Sequence, residues 1–159
     1  MAETHEGLAE LIKRGGVYRD LKGSTSREIL TKFIGALPPI PSVSSDKLLE
    51  AVLEREALMS TGIGRGIALP HPRNPLLSSE SGQFVALAFT EHPADWKSLD
   101  WEKVDTLLLI VSASAKQQLQ ILSKINFFCR QEDFCGLLKE RAPKEELLRF
   151  IGEAEKAWN

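Results

Sequence analysis

Apolar residues recur at helical spacing along several stretches of this chain and run almost unbroken along two others, and these two rhythms predict its elements. Leu8 to Lys13 is a short amphipathic segment that Gly15-Gly16 ends, and Val17 to Leu21 alternates enough for a short strand. Thr25 with Glu28 three residues later forms a capping box. Ile29, Leu30, Phe33, Ile34 and Leu37 then fall on one helical face, until Pro38-Pro39 stops the helix and Pro41 extends the linker. Ser44-Ser45-Asp46 caps a second helix on which Leu48, Leu49, Val52 and Leu53 share a face, with Glu50, Glu54, Arg55 and Glu56 mostly outside.

The rhythm changes at Ser60. In STGIGRGIALPHPRNP three glycines and three prolines surround apolar pieces too brief for a helix, which predicts strand pieces joined by tight turns. Phe84 to Phe89 and Val104 to Val111 are nearly continuous β-prone runs, as expected of central strands covered on both faces. Residues 91–96 between them predict a loop, with Trp96 and Trp101 flanking a small hairpin or a partner-facing edge. A long helix follows Ser112 with Leu119, Leu122, Ile125 and Phe128 inward. A shorter one passes through Phe134 and Leu137, and a last one starts at Pro143 and carries Leu147, Leu148 and Ile151. This order predicts an α/β fold: a three-layer sandwich, a mixed β-sheet flanked by helices on both sides, as one domain over 1–159 with its core over about 16–151.

Composition narrows the function classes. At 43% hydrophobic and 26% charged residues the chain can build a core, and a net charge of −2 implies no general attraction to nucleic acid or to an anionic membrane. Cys129 and Cys135 are six apart with no CxxC spacing, so they read as buried free thiols. With no signal-like or membrane-spanning run, the expected location is the cytoplasm. The three histidines are too scattered for a metal site, and His5 lies in a tail expected to fray.

His71 stands apart because glycines and prolines surround it: Gly62, Gly64 and Gly66 precede it, and Pro70 and Pro72 flank it directly. Glycines let backbone N–H groups approach an anion and prolines restrict the loop beforehand, so the segment suits a phosphoryl group. A neutral imidazole is nucleophilic near pH 7 and forms a phosphoramidate of high transfer potential. Arg73 can pair with the phosphoryl oxygens, and Arg65 can do the same or meet an acidic partner, with no metal or cofactor required. On these residues alone, a structural loop histidine remains the alternative.

TGIGRGIALPHPR resembles the active-site signature of the phosphotransferase-system IIA domains of the fructose/mannitol/nitrogen-regulatory type, of the form T-G-I-G-x-G-I-A-x-P-H followed shortly by a basic residue. SSDKLLEAVLEREALMS is similar to the helix before that signature, Asp95-Trp96 through Val104-Asp105 to its inter-strand segment, and the stretch from Val104 to Leu138 to its last strand and following helices. The resemblance covers roughly Gly16 to Ile151. It implies that His71 accepts phosphate from an HPr-like phosphocarrier protein and passes it on. The receiver is a cysteine of a IIB domain in transport members; nitrogen-regulatory members act mainly on a regulated target protein. No IIB or membrane-spanning IIC region is present in the sequence, which favours the regulatory reading.

One position departs from the pattern. Where many members carry a second histidine at the start of the long helix, this chain has Gln118, which cannot titrate but whose amide can donate a hydrogen bond to a phosphoryl oxygen; the alternative is a solvated helix residue. His92 beside Pro93 matches no motif, and Trp96, Trp101 and Trp158 read as core or rim residues. The runs Glu50–Glu56 and Lys139–Glu146 read as solvated faces. Three functions follow: a phosphocarrier that regulates a partner, a transport IIA component, and a docking module that is never phosphorylated.

Overall fold

The two nearly continuous apolar runs become the middle of the sheet. In the computed structural model, which describes residues 6–157 and so leaves His5 and Trp158 outside, β4 (Phe84–Ala94) pairs antiparallel with β5 (Val104–Val111). β1 (Val17–Leu21) adds parallel to β4, and β3 (Ile67–Ala68) parallel to β5. β2 (Gly62–Gly64) completes the order β1-β4-β5-β3-β2 by pairing antiparallel with β3. Alternate side chains of the central strands enter two separate cores, as a sheet covered on both faces requires. Ala86, Ala88, Leu107, Leu109 and Val111 pack with α2 (Ser26–Ala36) and α3 (Ser45–Leu58). Val85, Leu87, Phe89, Leu108 and Ile110 pack with α1 (Leu8–Gly15), α4 (Ala115–Cys129), α5 (Glu132–Lys139) and α6 (Lys144–Ala157). The expected three-layer α/β sandwich is the observed architecture.

Local chemistry sets the helix ends. Thr25 Oγ1 accepts from the Glu28 N–H at 3.1 Å, while the Glu28 carboxylate reaches Ser24 N rather than the cap residue itself. Ser44 and Ser114 cap α3 and α4 in the same way, each at 3.1 Å. Lacking a capping side chain, α1 borrows one: Glu155 of α6 accepts from Leu8 N at 2.8 Å and Ala9 N at 3.1 Å and pairs with Lys124 at 3.1 Å. At its other end α1 rests on β4 through Gly15, where a Cβ would lie 2.1 Å from the Val85 carbonyl oxygen. Burial therefore starts at Leu8, ahead of Gly16.

Four expectations are corrected. Strand β4 continues through Glu91, His92 and Pro93, where a loop was expected. These residues are exposed, and the β4–β5 register shifts between Phe89 and Ala94, so an unpaired stretch tolerates proline and polar side chains. On α4 the inward stripe is Gln118, Ile121, Ile125 and Phe128, with Leu122 partly buried. Leu119 is 66% exposed, because the helix turns Gln118 toward Ser112. On α5, Leu138 is buried and Leu137 only partly. Pro143 precedes the first helical residue of α6, and its carbonyl accepts from Glu146 and Leu147. Trp96 and Trp101, undecided from sequence, separate: Trp96 is buried and Trp101 is 88% exposed. Among the described residues no helix is long and apolar enough to cross a membrane.

Candidate functional site

His71 is delivered by the pairing of β3 with β5. The chain leaves β3 through Leu69-Pro70, and Ile110 N donates to the Pro70 carbonyl at 3.0 Å, so His71 emerges where the two parallel strands end. Ser112 and the start of α4 lie at that same end of the sheet. Both neighbouring prolines are buried, and His71 itself is only 8% exposed. Its Nδ1 lies 2.7 Å from the Leu69 carbonyl oxygen. A carbonyl can only accept, so Nδ1 carries the proton and Nε2 keeps its lone pair. Burial lowers the His71 pKa below its ordinary 6.5, and the Arg55 charge adds to this; the Leu69 hydrogen bond and Glu56 act the other way. Burial thus favours the neutral ring, in which Nε2 is the nitrogen with a free lone pair.

The charges of Arg55 and Glu56 bear on His71 in opposite directions, although sequence reasoning assigned both residues to a solvated face. Both are half-buried at the last turns of α3. Glu56 is a three-point anchor: it accepts from Thr61 N at 2.6 Å, from Thr61 Oγ1 at 2.6 Å and from the buried Trp96 indole at 2.7 Å. It thus ties α3 and the β4–β5 connection to the hairpin that leads to His71. Arg55 Nη1 donates to the Met59 carbonyl at 2.7 Å, which turns its guanidinium along the end of α3. Their signal was periodicity: extending the inward stripe Leu48–Val52 by three and four residues lands on Arg55 and Glu56.

The expected phosphate-binding residues divide into two groups. Gln118 is at the His71 end, 9% exposed, and its Oε1 accepts from the Ser112 hydroxyl at 3.3 Å. Its amide nitrogen remains as a donor, and the solvated reading of Gln118 is excluded. Arg73, two residues beyond His71, is exposed and makes no hydrogen bond or ion pair among the described residues. Gly64, Arg65 and Gly66, by contrast, form the β2–β3 turn. Gly62 pairs with Ala68 and the Thr61 carbonyl receives Leu69 N, so this turn lies at the end of the hairpin away from His71. Gly62, whose N–H is taken by Ser60 Oγ, is required by close packing, since a Cβ there would sit 2.0 Å from Ser98 Oγ. A nest of glycines around the imidazole is therefore not what the hairpin builds, and the Arg65 guanidinium donates to the Cys129 carbonyl instead. His92 is also remote, on the overhanging end of β4 beside Glu91.

Known proteins resemble this chain over most of its length. The family model described as "Phosphoenolpyruvate-dependent sugar phosphotransferase system, EIIA 2" matches residues 10–154. The chain is 26% identical over 151 residues to a nitrogen regulatory protein of Pseudomonas aeruginosa, covering 93% of this chain and 96% of the relative. It is 31% identical over 110 residues to a fructose-specific EIIA component of Haloferax volcanii, covering 68% and 70% respectively. Among solved structures, the nitrogen regulatory protein IIA-Ntr of Neisseria meningitidis superposes with a TM-score of 0.78 at 23% identity, over 90% of this chain and 97% of that one.

Proposed function

The chain belongs to the EIIA 2 family of the phosphoenolpyruvate-dependent sugar phosphotransferase system, and on that premise we propose that it carries a phosphoryl group on Nε2 of His71, received from an HPr-like phosphocarrier protein. The observation that supports this most directly is the 2.7 Å contact of Nδ1 with the Leu69 carbonyl, which leaves Nε2 as the attacking atom. The Nε2 lone pair forms the new P–N bond as the donor's P–N bond breaks, and the donor imidazole leaves with that electron pair. Nδ1 keeps its proton throughout, and the Leu69 carbonyl stabilises the positive charge that phosphorylation places on the ring. Arg55 and Arg73 balance the phosphoryl oxygens, and the Gln118 amide donates to one of them. The transfer needs no metal ligand among these residues, since donor and acceptor supply the reacting groups.

A regulatory role is the reading we favour for the receiving step, because the similarity to the Pseudomonas nitrogen regulatory protein spans nearly the full length of both chains. The partner would then respond to the charge that the phosphoryl group adds at His71. The similarity to a fructose-specific EIIA component supports the second reading, in which a IIB domain takes the phosphate. The test is phosphorylation of the purified protein with phosphoenolpyruvate, Enzyme I and the carrier protein, followed by NMR assignment of the phosphohistidine. Nε2-phosphohistidine is the expected product. The Nδ1 isomer would overturn the tautomer argument, and no product would leave the docking-module reading.

Gln118→His is expected to accelerate labelling about fivefold, since the negative phosphoryl oxygens arriving beside it favour an ionised imidazole against the effect of burial and so turn a neutral donor into a charged one. A rapid-quench time course measures it. A rate at or below wild type would mean that the amide, held by Ser112, is the better partner.

A further inference from the structure

Arg65, absent from the surroundings of His71, helps to build a different site. Between the β2–β3 turn and the last turns of α4 lies a cleft of about 530 Å³, within the range of small-molecule sites. Arg65 and Arg130 both line it, and neither forms an ion pair among the described residues. Arg65 occupies a left-handed backbone position, φ 58°, between Gly64 at 94° and Gly66 at 79°, where any residue with a Cβ is strained and glycine or asparagine is the easier choice. That strained position is braced on two sides: Arg65 N donates to Asp100 Oδ2 at 3.0 Å, and Nη1 donates to the Cys129 carbonyl at 3.2 Å. The second contact joins the Cys135 thiol, which donates to the same Cys129 carbonyl at 3.0 Å, in covering the partial negative charge at the C-terminal end of α4, and it leaves Arg65 Nη2 for a ligand.

The remaining polar groups have a different character. Asn126 turns its Nδ2 back to the Leu122 carbonyl at 3.0 Å, which leaves Oδ1 as its free acceptor. Ser123 contributes a hydroxyl, and Ile63, 39% exposed, contributes an apolar wall. Arg130 Nε donates to the Asn126 carbonyl at 3.4 Å, which orients its fork while both Nη groups remain available. We propose that this cleft binds a small phosphate monoester bearing hydroxyl groups: the two guanidinium forks take the phosphate oxygens, Asn126 Oδ1 and the Ser123 hydroxyl take the ligand hydroxyls, and Ile63 covers its carbon skeleton. Arg130 is twelve residues beyond Gln118, about 18 Å along the helix axis, so the site is separate from His71 and does not rest on phosphorylation there.

The experiment is a ¹H–¹⁵N NMR titration of the full chain with glycerol 3-phosphate, run beside inorganic phosphate and glycerol. Saturable shifts are expected at Gly64, Arg65, Asn126 and Arg130, with weaker binding of inorganic phosphate and none of glycerol. Arg130→Gln, which removes an exposed side chain bonded only to its own helix, should weaken binding at least about tenfold, and Arg65→Gln combined with it further. The proposal is overturned by an absence of shifts, by shifts confined to residues 69–75, by an unchanged titration in Arg130→Gln, or by inorganic phosphate binding as tightly as the ester.

Discussion

With His71 replaced by alanine, labelling from phosphoenolpyruvate through Enzyme I and the carrier protein is expected to fall to background, while the circular dichroism spectrum stays that of the wild type. The substitution removes the acceptor atom and leaves the Pro70–Ile110 and Leu69–Thr61 backbone contacts that shape the segment. Residual labelling on another residue of His71→Ala would refute the assignment. The wild type supplies a second reading of the same group. Burial, aided by Arg55, sets the His71 pKa below 6.5. A protonated ring has no lone pair at Nε2, so the labelling rate should be flat above neutrality and fall as pH drops through a midpoint below 6.5. An acid limb centred above that value would show that the attractive influences of Glu56 and the Leu69 carbonyl outweigh burial.

Glu56→Ala should damage the protein through its architecture. The substitution leaves the Thr61 amide, the Thr61 hydroxyl and the Trp96 indole N–H without the carboxylate that now accepts all three. Trp96 is only 3% exposed and Thr61 5%, so water replaces that acceptor incompletely, and the indole keeps only a long contact with Thr61 Oγ1 at 3.4 Å. Unsatisfied buried donors cost roughly 1–3 kcal/mol each, partly offset by relaxation, which gives an expected loss of about 3 kcal/mol and a fall in melting temperature of about 10 °C. Glu56→Gln, which keeps one acceptor oxygen, should lose about half as much. A thermal melt of Glu56→Ala within a degree or two of wild type would mean that the carboxylate is not what holds the β2–β3 hairpin to α3.

The sequence was most informative where one physical effect dominated. The β-prone runs at Phe84 and Val104 had to be central strands, because apolar residues fill them almost throughout, with Asp105 and Thr106 confined to the start of the second run. Thr25 with Glu28, and Ser44, are local capping chemistry that reads directly from spacing. Errors came where tertiary contacts decided between similar patterns. Leu119 and Ile121 are both plausible inward residues, and the contact of Gln118 with Ser112 selects Ile121. Glu56 looked like solvent-facing charge because its partners, Thr61 and Trp96, lie 5 and 40 residues away, and Arg55 because its partner is only a backbone carbonyl, that of Met59. The glycine-rich signature was legible as a unit, but it spans both arms and the turn of a hairpin. Residues six apart in the sequence, such as Arg65 and His71, therefore end at opposite ends of it.

The Glu155 carboxylate has a consequence for how the chain acquires its structure. Its bond to Leu8 spans 147 residues, so it joins the first and last helices and encloses nearly all the described chain in one loop. Closing so long a loop has a high entropic barrier compared with the five-residue link from Glu56 to Thr61. The clasp between α1 and α6 is accordingly expected to form late in folding, after the Glu56–Thr61 link near His71. Once made, it couples the two helices: if α6 detaches, α1 loses the carboxylate that caps it, and if α1 detaches, Glu155 loses two backbone donors, so the two are expected to open to solvent together.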